Sequence, residues 1–218
     1  LTLNIVDINT QPYSKIFEVM NLALENKQSY FEFIHILANK EKRNVRVHTT
    51  VTIYKDETVL YVTIADITEE VRAKNNLEKA TDIDQNHTLA YYHLAKLLID
   101  PEDYEKAKKN YLTAIDIDEN YAHAHYYLGK LLAGGLKNDK DGTLVRKPEY
   151  EDAIYHYKQT ISLDKKYSKA HYNLALMYKI QKKYDDAKKH FEKAIEIIND
   201  YSKAHFHLAM LLKEIGTI

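Results

Sequence analysis

Four short segments of this sequence repeat one another at fixed intervals, and that spacing constrains the fold more than any single residue does. They are Ala90-Tyr91-Tyr92-His93-Leu94-Ala95, Ala124-His125-Tyr126-Tyr127-Leu128-Gly129, Ala170-His171-Tyr172-Asn173-Leu174-Ala175 and Ala204-His205-Phe206-His207-Leu208-Ala209. The first and second lie 34 residues apart, as do the third and fourth, while the second and third are 46 apart, which is 34 plus an insertion of 12. A second series falls between them: Tyr104/Ala107/Tyr111/Ala114, Tyr150/Ala153/Tyr157/Thr160 and Tyr184/Ala187/Phe191/Ala194. Both series have helical spacing, with turn-forming residues between them, so each period reads as two helices. Such a unit buries its apolar face only by stacking on its neighbours, and a helical solenoid is expected.

A 34-residue period of two helices resembles the tetratricopeptide repeat, and the residues match that family's pattern. Small residues stand at the eighth position (Ala95, Gly129, Ala175, Ala209) and at the twentieth (Ala107, Ala153, Ala187), where paired helices approach closely. Aromatic residues stand at the twenty-fourth (Tyr111, Tyr157, Phe191). The family's proline at the thirty-second position is replaced by Glu119, Lys165 and Asn199, so these turns rest on polar residues. Ala73, Leu77 and Ala80 continue the second-helix series upstream. The expected array is a half repeat over 71–87, repeats over 88–121, 122–167 (with the insertion at 134–148) and 168–201, and a final helix over 202–218.

In that family the fifth position lines a concave groove, beside the second and ninth positions. The resemblance therefore implies a partner-binding groove with an aromatic stripe of Tyr92, Tyr126, Tyr172 and Phe206. Its flanks are Leu89, His123, Lys169 and Lys203, then Lys96, Lys130, Leu176 and Met210. A stripe of this kind, exposed in the free protein, suits an extended or helical peptide carrying apolar and acidic groups. The alternative is that the tyrosines only pack against neighbouring helices. The family's carboxylate clamp is matched only partly, by Lys96, Asn173 and Lys169, because Tyr92 and Tyr127 stand where polar donors are needed. No clamp is expected. On the final helix, Phe206, Leu208, Met210, Leu211, Leu212 and Ile215 leave an apolar patch for another copy of the chain or further repeats to cover.

Residues 1–70 have another texture. Tyr13 to Asn26 reads as helix and Tyr30 to Ile36 as strand, and Val45 to Tyr54 and Thr58 to Ala65 read as a hairpin about Lys55-Asp56-Glu57. The hairpin ends in Asp66-Ile67-Thr68 and runs into a charged helix, from Glu69 to about Ala80, that belongs to both domains. This ending is similar to the close of the PAS sensory domain, with Asn4 to Asn9 as its early strand, although 70 residues is short for a full domain. The fold expected is mainly α, a tetratricopeptide solenoid preceded by a small α+β PAS-like domain. The PAS resemblance implies a sensory or dimerisation role.

Charge and composition narrow the function. Lys plus Arg number 31 and Asp plus Glu 32, so there is no basic footprint for nucleic acid. No apolar stretch reaches the length of a membrane span. The absence of cysteine removes thiolate catalysis, disulfides, Cys-ligated metals and the flavin–thiol adduct of light-sensing PAS relatives, and it fits a cytoplasmic address. His35 and His48 lie in strand-like segments, which argues against a helix-borne haem ligand. His87 is followed by Thr88 in a turn, unlike a kinase phospho-acceptor. Among the eleven histidines, His123 and His125 cannot share a helix face, and the fourth-position series of Tyr91, His125, His171 and His205 belongs to packing within repeats. Asp139-Lys140-Asp141-Gly142 lacks the acids of a calcium loop at its ends, so the insertion is expected to be a surface contact element or lid. The five glycines supply no phosphate-cradling loop. The chain starts at Leu1 and reads as a fragment or processed product.

The reading is a non-enzymatic scaffold without catalytic residue, metal or cofactor. Its groove binds a protein or peptide, and it self-associates through the last helix or the PAS-like part. The alternatives are the input fragment of a bacterial signalling enzyme, such as a kinase or cyclase, and a purely structural assembly adaptor.

Overall fold

The computed structural model describes residues 30–36, 41–54, 57–98, 103–134, 136–137 and 144–216. The chain divides into two compact units, residues 1–76 and 77–218, and the division falls inside a helix. The helix expected over 13–26 and the strand over 4–9 lie outside the described residues.

In the first unit, β1 (Tyr30–Ile36), β2 (Lys42–Tyr54) and β3 (Glu57–Asp66) form an antiparallel sheet in the order β1-β2-β3. The hairpin register runs from Tyr54↔Glu57 to Val45↔Asp66. Val45 and Val47, two residues apart and so on one face, are buried. Arg46 ties the sheet to the helix that follows, bonding Glu32 opposite it on β1 at 2.6 Å and Glu70 at 3.2 Å. The corner from β3 into α1 (Thr68–Ile83) is built by side chains. The Asp66 carboxylate accepts the Thr68 N–H (2.9 Å) and pairs with Arg43 (2.6 Å), while the Thr68 hydroxyl accepts the Asn44 N–H (2.8 Å). These bonds, those to Thr68 first, hold the Asp66 carboxyl down to about 2. Three antiparallel strands and a following helix belong to many α+β folds, so this sheet does not single out the PAS fold.

The second unit continues from Leu77 through α2 (Thr88–Leu97), α3 (Tyr104–Ile117), α4 (Ala122–Ala133), α5 (Tyr150–Leu163), α6 (Ser168–Ile180), α7 (Tyr184–Ile197) and α8 (Ser202–Gly216). Consecutive helices pack as the hairpins α2/α3, α4/α5 and α6/α7, each docked on the next, with α8 on α7. This is a tetratricopeptide-like solenoid. Where the sequence suggested a long loop, two short strands pair antiparallel, β4 (Leu136–Lys137) with β5 (Leu144–Arg146). The Asp139–Gly142 stretch lies outside the described residues. Glu149 anchors the end of the insertion, pairing with Lys108 on α3 at 2.7 Å and accepting the Tyr104 hydroxyl. No helix among the described residues is long and apolar enough to cross a membrane.

Three of the four turns that lead into first helices share a device, and the fourth has Ile198 in place of the aspartate. Asp84, Asp118 and Asp164 accept the backbone N–H two residues on, at 2.9, 3.0 and 2.9 Å, and so hold the chain in an Asx turn. The N–H of His87, Tyr121, Tyr167 and Tyr201 then closes each turn onto the carbonyl three residues back.

Each hairpin is closed by its thinnest residues. Ala153, Ala187, Ala175 and Ala170 have no measurable exposure. A Cβ built on Gly129 would lie 3.0 Å from the Tyr157 ring and 3.2 Å from the Ala153 carbonyl. The eighth position thus packs against the twentieth and twenty-fourth. Replacing Ala187 with Leu is expected to overpack α6/α7 by about 1–3 kcal/mol. Urea unfolding of the full chain checks this, and an unchanged midpoint would contradict the packing described.

Candidate functional site

The aromatic stripe lies deeper than the sequence suggests. Tyr92, Tyr126 and Tyr172 are 4%, 7% and 9% exposed, whereas Phe206 is 61% exposed. The expectation that the tyrosines stand open in the free chain is therefore corrected, and they are packing groups first. Each meets three kinds of neighbour. One is the aromatic of its own second helix, as in Tyr92–Tyr111, Tyr126–Tyr157 and Tyr172–Phe191, with ring centroids 6.3, 6.1 and 5.9 Å apart. Another is the tyrosine ending its own repeat, Tyr121, Tyr167 or Tyr201, at 5.2, 4.8 and 5.2 Å. The third lies on the next first helix. Tyr92 meets the Tyr127 ring at 5.7 Å, Tyr126 accepts a hydrogen bond from the Asn173 amide at 3.3 Å, and Tyr172 meets His207 at 5.7 Å. The fifth-position tyrosine is the bolt between repeats. Burial pushes the Tyr92, Tyr126 and Tyr172 phenols upward, so they stay neutral donors.

Two lysines of the predicted groove lie over tyrosine rings. Lys96 Nζ lies 5.3 Å from the Tyr92 ring centroid and 5.1 Å from that of Tyr127, and Lys130 Nζ lies 6.0 Å from Tyr127. Both lysines are exposed, as are Lys169 and Met210, while Leu176 and Tyr127 are half-buried. The structure thus gathers Tyr92, Lys96 and Lys130 around Tyr127, which the sequence reading placed only as an obstacle to a clamp. Tyr126 and Tyr172 sit in their own clusters one and two repeats on. Tyr121, Tyr167 and Tyr201, which the sequence reading passed over, recur at spacings of 46 and 34, so periodicity alone carried the signal.

Histidines pair inside two successive hairpins. His125 Nδ1 lies 3.0 Å from His156 Nδ1, and His171 Nδ1 lies 2.9 Å from His190 Nδ1. On their far sides, His125 Nε2 and His171 Nε2 reach the carbonyls of Glu119 and Lys165 at 3.2 and 3.3 Å. A carbonyl can only accept, so Nε2 of His125 and His171 carries the proton and their Nδ1 accepts from the partner ring. Burial holds all four below the usual imidazole range, and for His156 and His190 the neighbouring ring adds to it. Among the described residues no three His, Asp or Glu side chains cluster as a metal site.

Residues 168–201 match the family model described as tetratricopeptide repeat, and residues 97–134 match one described as TPR repeat. The chain therefore carries tetratricopeptide repeats. A crystal structure of MamA shares 23% identity at a TM-score of 0.55, over 66% of this chain and 77% of that one. MamA 41-end from Desulfovibrio magneticus RS-1 shares 17% at 0.56, over 67% and 76%. The first TPR of Spaghetti (RPAP3) bound to HSP90 peptide SRMEEVD shares 16% at 0.52, over 61% and 96%. These likenesses show the fold. No curated protein matches the sequence.

The histidine pairs fix a sign for the effect of acid. Their folded-state pKa values lie below the unfolded value of about 6.5, so the unfolded chain binds more protons. Their contribution to stability is complete above about pH 6.5 and is lost as pH falls below it. Melting temperature is expected to drop between pH 7.5 and pH 5.5, above the carboxylate range. Asparagine, which repeat one carries as Asn110, should flatten that drop when placed at His156 and His190 together. A melt insensitive to pH in the unaltered chain would contradict the buried neutral pairs.

Proposed function

We propose that this chain is a protein-binding scaffold whose site centres on Lys96, Tyr127 and Lys130 and takes a peptide with adjacent acidic and apolar side chains. The observation that carries this is the pair of exposed ammonium groups held over tyrosine rings. Each lysine lies over a ring face, and its charge is free to meet a carboxylate. Tyrosine rings beneath supply rigid apolar contact, and Tyr126, Tyr172, Leu176, Lys169, Phe206 and Met210 extend the same stripe through later repeats. The similar fold of the first TPR of Spaghetti (RPAP3) is bound to a peptide, SRMEEVD, with two adjacent glutamates between a methionine and a valine. That likeness of fold supports the class of partner.

The PAS resemblance of residues 1–70 adds a regulatory input to this reading. Its support is the corner at Asp66 and Thr68, where side-chain bonds lead β3 into α1 without an intervening loop. A shift in the sheet would then be passed to α1 rather than absorbed.

The buried tyrosines are unsuitable probes, because replacing Tyr126 and Tyr172 with alanine would open cavities between repeats and cost about 3–5 kcal/mol each for the lost aromatic. The exposed rim tests the site. In the double variant Lys96→Glu, Lys130→Glu, binding of labelled peptides carrying a Glu-Glu pair beside Met or Val should weaken at least about tenfold, or 1.4 kcal/mol. Fluorescence anisotropy measures this, and circular dichroism should show an unchanged fold. Equal binding by the variant would place the partner surface elsewhere.

A further inference from the structure

The helical array contains two halves of one hairpin, at opposite ends. α1 is a second helix in every register. Over residues 70–83 it shares Ala73, Lys74, Glu78, Lys79, Ala80 and Ile83 with Ala187, Lys188, Glu192, Lys193, Ala194 and Ile197 of α7, with Leu77 in place of Phe191. Yet no first helix precedes it among the described residues, and Ala73, whose counterparts Ala107, Ala153 and Ala187 are buried, is exposed. α8 is a first helix in every register. Its His205 Nε2 reaches the Asn199 carbonyl at 2.8 Å, as His125 and His171 reach theirs. Among the described residues no second helix covers it. Ala209, whose counterparts Ala95, Gly129 and Ala175 are buried, is exposed, and Phe206, Met210 and Leu212 stand in solvent at 61%, 43% and 43%.

We propose that these halves complete each other between copies of the chain, with α1 of one copy docking on α8 of the next as α7 docks on α6. The register follows from the hairpins already present. Gly129 meets Ala153 and Tyr157, so Ala209 meets Ala73 and Leu77 of the second copy. Phe206 takes the place of Tyr172 beside Phe191, and so lies against that same Leu77. The polar partner is also supplied. His190 occupies the position that Asn76 holds in α1, and Asn76 is exposed. Since His205 Nε2 donates to a carbonyl, its Nδ1 accepts, and the Asn76 amide is a donor. Ala73 and Asn76 on α1 and Phe206 and Ala209 on α8 are exposed, and Leu77, half-buried against Leu94 and Leu98, keeps part of its surface open.

The contact joins two different surfaces, so it is heterologous: it propagates head to tail, closing into a ring or running on as a filament. An isologous pairing of α8 with α8 is the competing arrangement, and one experiment separates the two. Sedimentation velocity of the full chain should show association that grows with concentration. Ala209→Arg disables α8 and Ala73→Arg disables α1. Both sites are exposed, so circular dichroism should be unchanged, and each variant alone should sediment as a monomer. Mixed in equal amounts, the variants retain one intact α8 and one intact α1 between them, and should form a complex of twice the monomer mass and nothing larger. A chain that stays monomeric at every concentration overturns the proposal. So does association retained by Ala73→Arg alone, which would indicate α8–α8 pairing, and so does a mixture that remains monomeric.

Discussion

The helical unit depends on how closely the two helices of a hairpin approach. At Gly129 the gap is too narrow for a methyl group without movement of Tyr157 or of the Ala153 carbonyl. The same positions in the neighbouring hairpins are filled by buried alanines. This closeness lets one large ring per hairpin, Tyr111, Tyr157 or Phe191, reach across and be buried. Burying each contributes about 1.5–3 kcal/mol, against a net 0.5–1.5 kcal/mol for a hydrogen bond such as those between the histidine rings. Apolar packing therefore sets the stability of the array, while the polar pairs specify how the helices sit and make that packing sensitive to acid.

The tyrosines at the fifth position follow from the same geometry. With the hairpins drawn tight, the gap between successive repeats is the next volume to be filled, and Tyr92, Tyr126 and Tyr172 fill it. Over Tyr92 and the neighbouring Tyr127 lie the exposed ammonium groups of Lys96 and Lys130. The exposed lysines thus lie as a skin over an aromatic spine. Lys96 and Lys130 can be changed without disturbing the spine, whereas a change to a spine residue acts on the fold.

Structure passes into the helices through two kinds of corner, both made by short acidic side chains. Asp66 turns a strand into α1, and Asp84, Asp118 and Asp164 turn one repeat into the next. At two boundaries the aspartate stands one residue before Glu119 or Lys165, which occupy the family's proline position, and its bond to the backbone holds the turn instead. Such turns need no tertiary partner, so these three boundaries are encoded locally.

The amino-acid sequence by itself determined the period, the pairing of helices, the small residues at their crossing and the hairpin about residues 55 and 56. These are properties of spacing and residue size, which are local and recur. Tertiary structure alone decided which apolar residues are bolts and which are surface. Tyr172 and Phe206 occupy equivalent positions, yet one is buried and the other open, because a neighbouring repeat follows the first and none follows the second among the described residues. It also decided that His125 meets His156 and His171 meets His190, since partners 31 and 19 residues apart share a contact only once the hairpins close. Tyr127 shows the same limit. In the sequence it breaks a motif, and only the approach of Lys96 and Lys130 over its ring makes it the centre of a candidate site.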